Sequence, residues 1–276
     1  MDGDVGPFMR GKITAESIRG YKGRRPVGAL TAYDYPTARL LDEAGVDVIL
    51  VGDSLGMVVL GYPDTTHVTM ADMLHHVRAV ARSRPRALLA ADMPYGSYPD
   101  AGAAVRNARL LCEAGAEVVK AEGGRGIFEV VEAIVKEGMP FLGHLGMLPQ
   151  RIVEEGGKYR IKGRSEEERH ALVQDALALE QAGAFAIVLE LVVPEVAAEV
   201  SQRLSIPTIG IGSGRDCDGQ ILVTQDLTGG FPWFTPKHVV PLARTGEDTR
   251  EAVGKWMASL GGEARRGKRE AGSADG

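Results

Sequence analysis

The chain has 276 residues, 44% hydrophobic and 25% charged, which is ordinary globular usage and excludes a long disordered chain, a collagen-like repeat or a coiled coil. Its 32 basic and 37 acidic residues give a net charge of −5, and no basic block interleaves with aromatics in the folded part, so nucleic acid is not an expected partner. Two cysteines, Cys112 and Cys217, exclude a disulfide scaffold and a four-cysteine zinc site; with no run of 18 apolar residues and no secretory pattern in Met1–Lys12, a cytoplasmic address without a membrane partner is expected.

In chain order, Thr14–Gly20 predicts a short helix closing a barrel floor, and from Val27 onward short β-branched runs alternate with segments of helical period. The predicted strands are Val27–Ala32, Val46–Val51, Ala87–Ala91, Val118–Ala121, Pro140–Gly143, Ala186–Leu189, Pro207–Ile211 and Ile221–Val223. The predicted helices are Pro36–Ala44, Met70–Ser83, Ala101–Ala114, Phe128–Glu137, Ser165–Ala182 and Glu195–Leu204; the gap before the eighth strand is too short for one. This is the α/β class, with a (β/α)8 TIM barrel over residues 1–262 as the first reading and an open doubly wound sheet as the alternative. Residues 263–276, with basic pairs among Gly, Ser and Ala, read as a disordered tail.

Active sites of such barrels lie at the carboxyl ends of the strands, and ionisable residues gather there. The second apolar run leads into Asp53-Ser54, the third into Asp92, the fourth gives Lys120 and Glu122, the fifth His144 and the sixth Glu190. Any one carboxylate reads equally well as a helix N-cap, but five successive strands ending in ionisable groups point to a site. Three carboxylates at one mouth would raise each other's pKa unless a cation sits among them, and an all-oxygen set favours Mg2+ over zinc. His144 stays open between metal ligand, substrate hydrogen bond and structural histidine. Gly210–Gly214 stays open between a phosphate seat and tight turns at the rim.

Several motifs in order carry a family resemblance. They are Leu30-Thr31-Ala32-Tyr33-Asp34, Val51-Gly52-Asp53-Ser54-Leu55-Gly56-Met57-Val58, Ala91-Asp92-Met93-Pro94-Tyr95-Gly96-Ser97-Tyr98, Lys120-Ala121-Glu122-Gly123-Gly124, Gly143-His144-Leu145-Gly146-Met147-Leu148-Pro149-Gln150 and Pro207-Thr208-Ile209-Gly210-Ile211-Gly212. From about Thr31 to Val223 the chain resembles the ketopantoate hydroxymethyltransferase (3-methyl-2-oxobutanoate hydroxymethyltransferase) family. The resemblance implies a cytoplasmic (β/α)8 enzyme, a homo-oligomer and in the family a decamer, that moves a one-carbon unit from 5,10-methylenetetrahydrofolate to 2-oxoisovalerate. The product is ketopantoate, in pantothenate and coenzyme A biosynthesis, formed through a Mg2+-stabilised enolate. By the same resemblance Asp53 and Asp92 bind Mg2+ directly and Glu122 joins through water. Ser54 and Lys120 hold the oxo acid and Glu190 accepts the proton; the strand-end positions of Asp53, Asp92 and His144 make these three further candidates for the substrate side. No residue is assigned to the folate.

Three departures stand out: Ala121 where the family commonly has a bulky aliphatic residue, Ser213 where it commonly has alanine, and Pro194 one position later than usual after Glu190. Lys120 could in principle form a Schiff base, but with three carboxylates at hand a metal is the favoured way to hold the enolate. The competing functions are a Mg2+-dependent lyase or mutase acting on another oxo acid, and a metal-dependent binding protein without turnover.

Overall fold

The computed structural model describes residues 11–271, with side chains as far as residue 260. Eight strands, β1 (Val27–Thr31), β2 (Val48–Val51), β3 (Leu88–Asp92), β4 (Val118–Glu122), β5 (Phe141–Gly146), β6 (Ala186–Glu190), β7 (Thr208–Ile211) and β8 (Gly219–Leu222), pair in parallel in chain order, and β8 closes on β1. The expected (β/α)8 barrel is the fold, and the open sheet is excluded by the β1–β8 pairing.

Around it run α1 (Ala15–Arg19), α2 (Tyr35–Glu43), α3 (Leu55–Val58), α4 (Met70–Ala81), α5 (Ala101–Glu113), α6 (Phe128–Lys136), α7 (Glu166–Gln181) and α8 (Pro194–Arg203). Their starts follow from local chemistry. Asp34, Thr69, Asp100 and Ser165 each accept a backbone N–H of the first turn through the side chain, which satisfies a donor the helix cannot. Residues 212–218 join β7 to β8 without a helix. The four-residue α3 is too short to leave a helical period in the sequence.

Side-chain parity along each strand separates two cores. Val27, Ala29, Val48, Leu50, Leu88, Ala90, Val118, Leu142, Ala186, Val188, Ile209 and Ile221 pack together inside the barrel, with Ile13 and Ile18 of the α1 region joining them. The alternate residues, including Ile49, Val51, Leu89, Ala91, Val119, Ala121, Phe141, Ile187 and Leu189, pack under the helices. Fully burying each of the Val, Leu, Ile and Phe side chains contributes about 1.5–3 kcal/mol, so the alternation is strongly enforced and a one-residue slip is not tolerated.

A second compact unit begins at Thr224. It contains α9 (Thr224–Thr228) and α10 (Thr245–Ala271), tied by the Thr245 hydroxyl donating to the Thr228 carbonyl at 3.0 Å. The helical backbone of α10 carries through much of the segment expected as a disordered tail, whose Ala, Arg, Lys and Glu are good helix formers. Residues 272–276 lie outside the described residues. Among the described residues no helix is long and apolar enough to cross a membrane.

Candidate active site

Parity decides which polar groups meet. On β3, Leu88 and Ala90 face inward, so Asp92 does too; on β4, Val118 faces inward, and Lys120 and Glu122 follow it. Leu142 of β5 brings His144 to the same side, and Val188 of β6 brings Glu190. The register then sets Asp92 opposite Lys120, and Glu122 opposite His144. β5 extends beyond its expected end to Gly146 because β6 pairs with it over Leu142–Gly146, so His144 is a strand residue. All five inward groups thus lie at the carboxyl end of their strands.

Asp53 joins them from just beyond β2. Its backbone N–H donates to Asp92 Oδ2 at 3.0 Å, and Gly52 makes room for this approach: a Cβ there would stand 2.9 Å from Ser54 Oγ and 3.4 Å from Asp92 Oδ2. The other oxygen of Asp92 accepts from Lys120 Nζ at 2.5 Å, a salt bridge with both side chains buried. Ser54 lies at the rim and its hydroxyl shares a hydrogen bond with the buried Tyr33 hydroxyl at 2.8 Å. His76 Nδ1 lies 2.6 Å from the Tyr33 carbonyl, which makes this histidine a packing partner of the β1 end.

The electrostatics are those of a site overloaded with negative charge. Burial first, then the Asp92 charge, push Asp53 up to about 7, against the pull of Lys120 and a Gln150 hydrogen bond. Burial and the Asp53 charge likewise raise Glu122 well above the ordinary carboxylate range. Burial works to discharge Lys120, but Asp92, Asp53 and Glu122 outweigh it and keep the ammonium charged. Burial and Lys120 hold His144 well below its ordinary value, so the imidazole is neutral near pH 7. Its Nδ1 stands 3.5 Å from Glu122 Oε1 and its Nε2 3.3 Å from Glu190 Oε2, yet neither nitrogen forms a hydrogen bond.

The segment carrying Glu190 is pinned on every side. Met147 N–H donates to the Glu190 carbonyl at 2.8 Å, Leu191 N–H to Ile211 at 2.9 Å, and Lys162 N–H to Leu191 at 2.8 Å. A Cβ at Gly146, whose φ is +95°, would stand 2.2 Å from the Glu190 carbonyl oxygen. Leu191 itself has φ +47°, a strained conformation for a branched side chain that persists only where its surroundings over-determine it. Here Ser213, a departure from the family pattern, supplies a clamp: its hydroxyl donates to the Leu189 carbonyl at 2.7 Å and accepts the Val192 N–H at 2.9 Å. Ser213→Ala should therefore lower the unfolding free energy by about 1–3 kcal/mol, because a buried amide loses its partner. Urea unfolding checks this, and no change in the midpoint would show that Val192 needs no hydroxyl. Ala121, the other substituted position, faces the outer core and not the site.

Every site residue expected from the sequence, namely Asp53, Ser54, Asp92, Lys120, Glu122, His144 and Glu190, thus lies at the carboxyl end of β2–β6. Sequence reasoning missed Gln150 and Tyr98, although both stand inside the quoted motifs. Gln150 Nε2 donates to Asp53 Oδ2 at 2.8 Å, and Tyr98 OH donates to Gln150 Oε1 at 2.5 Å. In the glycine-rich run after Glu122, the N–H and Nε of Arg125 both donate to Asp175, at 3.1 and 2.7 Å. Among the described residues, no group of three or more His, Cys, Asp or Glu side chains stands in an arrangement that could hold a metal ion by itself.

The model of the ketopantoate hydroxymethyltransferase family matches residues 12–264. The 3-methyl-2-oxobutanoate hydroxymethyltransferase of Acetivibrio thermocellus is 54% identical over 246 residues, 88% of this chain and 87% of that protein. Its counterpart from Ignicoccus hospitalis is 52% identical over 251 residues, 90% and 95% of the two chains. Among solved structures, a phosphonopyruvate hydrolase superposes with a TM-score of 0.62 at 17% identity, over 94% of this chain and 98% of that one, which bears on the barrel alone. With half of its residues shared over most of its length, and with the resembling motifs gathered at one barrel mouth, the chain belongs to the ketopantoate hydroxymethyltransferase family and is a hydroxymethyltransferase.

Proposed function

We propose that the chain transfers a hydroxymethyl group from 5,10-methylenetetrahydrofolate to 3-methyl-2-oxobutanoate, forming ketopantoate, with Mg2+ at the site. The observation that carries this reading is the buried layer of Asp53, Asp92, Glu122 and Lys120, backed by the names of relatives about half identical to this chain.

The donor set fits a divalent ion. Three buried carboxylates face one ammonium, and burial first, then their mutual repulsion, raises Asp53 and Glu122. Mg2+ commonly takes one or two carboxylates and completes its shell with water and substrate oxygens, so a protein cage of three is not required. Asp53 and Asp92 would hold it directly and Glu122 through water. When bound, Mg2+ supplies a Lewis acid that polarises the oxo acid's carbonyl and makes the C3 hydrogen more acidic.

The residues of the chain do the rest. Lys120 Nζ, already charged and buried, offers its remaining hydrogens to the substrate carboxylate. Ser54 Oγ, steadied by Tyr33, gives a hydrogen bond at the rim. Glu190 accepts the C3 proton, and neutral His144, with both ring nitrogens buried and without hydrogen bonds, receives polar substrate atoms. Water opens the methylene bridge by replacing one of its two carbon–nitrogen bonds; the C3 carbon then bonds to that methylene carbon as the second carbon–nitrogen bond breaks, and the two folate nitrogens leave carrying one proton from the water and one from C3. The oxygen of that water becomes the hydroxyl of the product.

The test is formation of ketopantoate from the two substrates with added Mg2+, with exchange of the C3 hydrogen in deuterated water as a folate-independent readout. Neither product nor exchange would overturn the assignment. In the same assay Lys120→Met should raise the oxo acid Kd roughly 30-fold or more, since an unpaired buried charge costs about 2 kcal/mol upward. An unchanged Kd would remove Lys120 from that role.

A further inference from the structure

Gln150 lies in the 3-10 turn Pro149–Arg151 after β5, is 3% exposed, and commits every polar atom of its side chain within the site. Its amide nitrogen donates to Asp53 Oδ2 at 2.8 Å and to the Met93 carbonyl at 2.9 Å. Its backbone N–H donates to Glu122 Oε2 at 3.0 Å. One residue therefore ties together the ends of β2, β3 and β4.

The amide has a single workable orientation. The partner at Met93 is a carbonyl, which can only accept, so the nitrogen must face it and with it Asp53 Oδ2, and Oε1 must face a donor. Tyr98 is that donor, at 2.5 Å from Oε1. Its hydroxyl has one hydrogen, and the Glu122 carbonyl at 3.4 Å is a poorer acceptor for it. The Tyr98 oxygen in turn accepts the Glu122 N–H at 3.3 Å.

We propose that Tyr98 and Gln150 are a positioning pair for the cation site: the Tyr98 hydroxyl orients the Gln150 amide, and the amide holds Asp53 by Oδ2 so that Oδ1 is presented to the ion. The proposal rests on the reading of Asp53 as a ligand. Its physical basis is general. A ligating carboxylate free to rotate must be ordered when the metal binds, whereas one held by an outer hydrogen bond is already in place, and losing such a partner typically costs 10–100-fold in metal affinity.

The test uses the full chain and Mn2+ alone as the probe, with free ion followed by its paramagnetic resonance signal. Gln150→Met, which keeps length and removes the amide, should weaken Mn2+ binding by roughly 10–100-fold, and Tyr98→Phe by roughly tenfold. The double variant should bind within about twofold of Gln150→Met, because the hydroxyl acts through the amide. Full additivity of the two losses, or Mn2+ affinity within twofold of native in Gln150→Met, overturns the proposal. If Gln150→Met does not fold, Tyr98→Phe carries the test, since the ring stays in place and only the hydroxyl is lost; native affinity there overturns the pair. Native affinity in Asp53→Ala would instead overturn the ligand reading itself, a result the two positioning variants cannot mimic.

Discussion

Asp92→Asn should reduce turnover by roughly 10²–10³-fold while the barrel remains folded, since direct coordination supplies several kcal/mol and each 1.36 kcal/mol is tenfold. Asparagine keeps the shape of the side chain and an oxygen to accept the Asp53 N–H, now 3.0 Å away. What it removes is the charge that pairs with Lys120 at 2.5 Å and that, in the proposed reading, would hold the cation. Alanine would be a poorer test, because it also leaves the Asp53 amide without an acceptor and breaks a buried pair, a loss of about 3–5 kcal/mol. The variant has a second signature. In the native chain Asp53 is raised to about 7 by burial and then by Asp92, so near neutral pH it is partly protonated and divalent-ion binding should release protons. With Asp92 neutralised, Asp53 should titrate lower and the release at pH 7 should shrink. Calorimetry in two buffers of different ionisation enthalpy reads this directly. Near-native turnover with unchanged proton release would mean that Asp92 is not part of the cation site.

The sequence exposes the parts of this site that follow from strand parity. Asp92, Lys120, Glu122, His144 and Glu190 each continue the inward set of an apolar run, and a charged residue at such a position is conspicuous because burial there costs free energy unless it is paired. Asp53 is legible for a related reason, coming directly after the run Val48–Val51 and Gly52. Gln150 and Tyr98 are not: they are neutral, lie on loops 52 residues apart, and meet through one hydrogen bond that no periodicity encodes. The left-handed Leu191 is equally invisible, since leucine is a residue that ordinarily avoids positive φ. The helical continuation of α10 was masked by composition, because Gly261, Gly262 and Gly267 interrupt a stretch otherwise rich in Ala, Arg, Lys and Glu.

The pinned segment after β6 makes Glu190→Gln the sharpest test of the chemistry. Glutamine keeps the size of the side chain and its capacity for hydrogen bonds but has no basic carboxylate, and the backbone bonds of Glu190, Leu191 and Val192 are untouched. The fold and the oxo acid site should survive. If Glu190 accepts the C3 proton, deuterium exchange and hydroxymethyl transfer should both fall by the roughly 10²–10⁴-fold characteristic of lost general-base catalysis, with oxo acid binding retained. Loss of transfer with exchange intact would place Glu190 at the folate-dependent step. Retention of both would pass the role to His144, whose Nε2 is 3.3 Å from Glu190 Oε2. That alternative has its own mark: a neutral imidazole held well below its ordinary pKa by burial and Lys120 is a weak base, so exchange driven by it should not lose its acid limb until far below the usual histidine range.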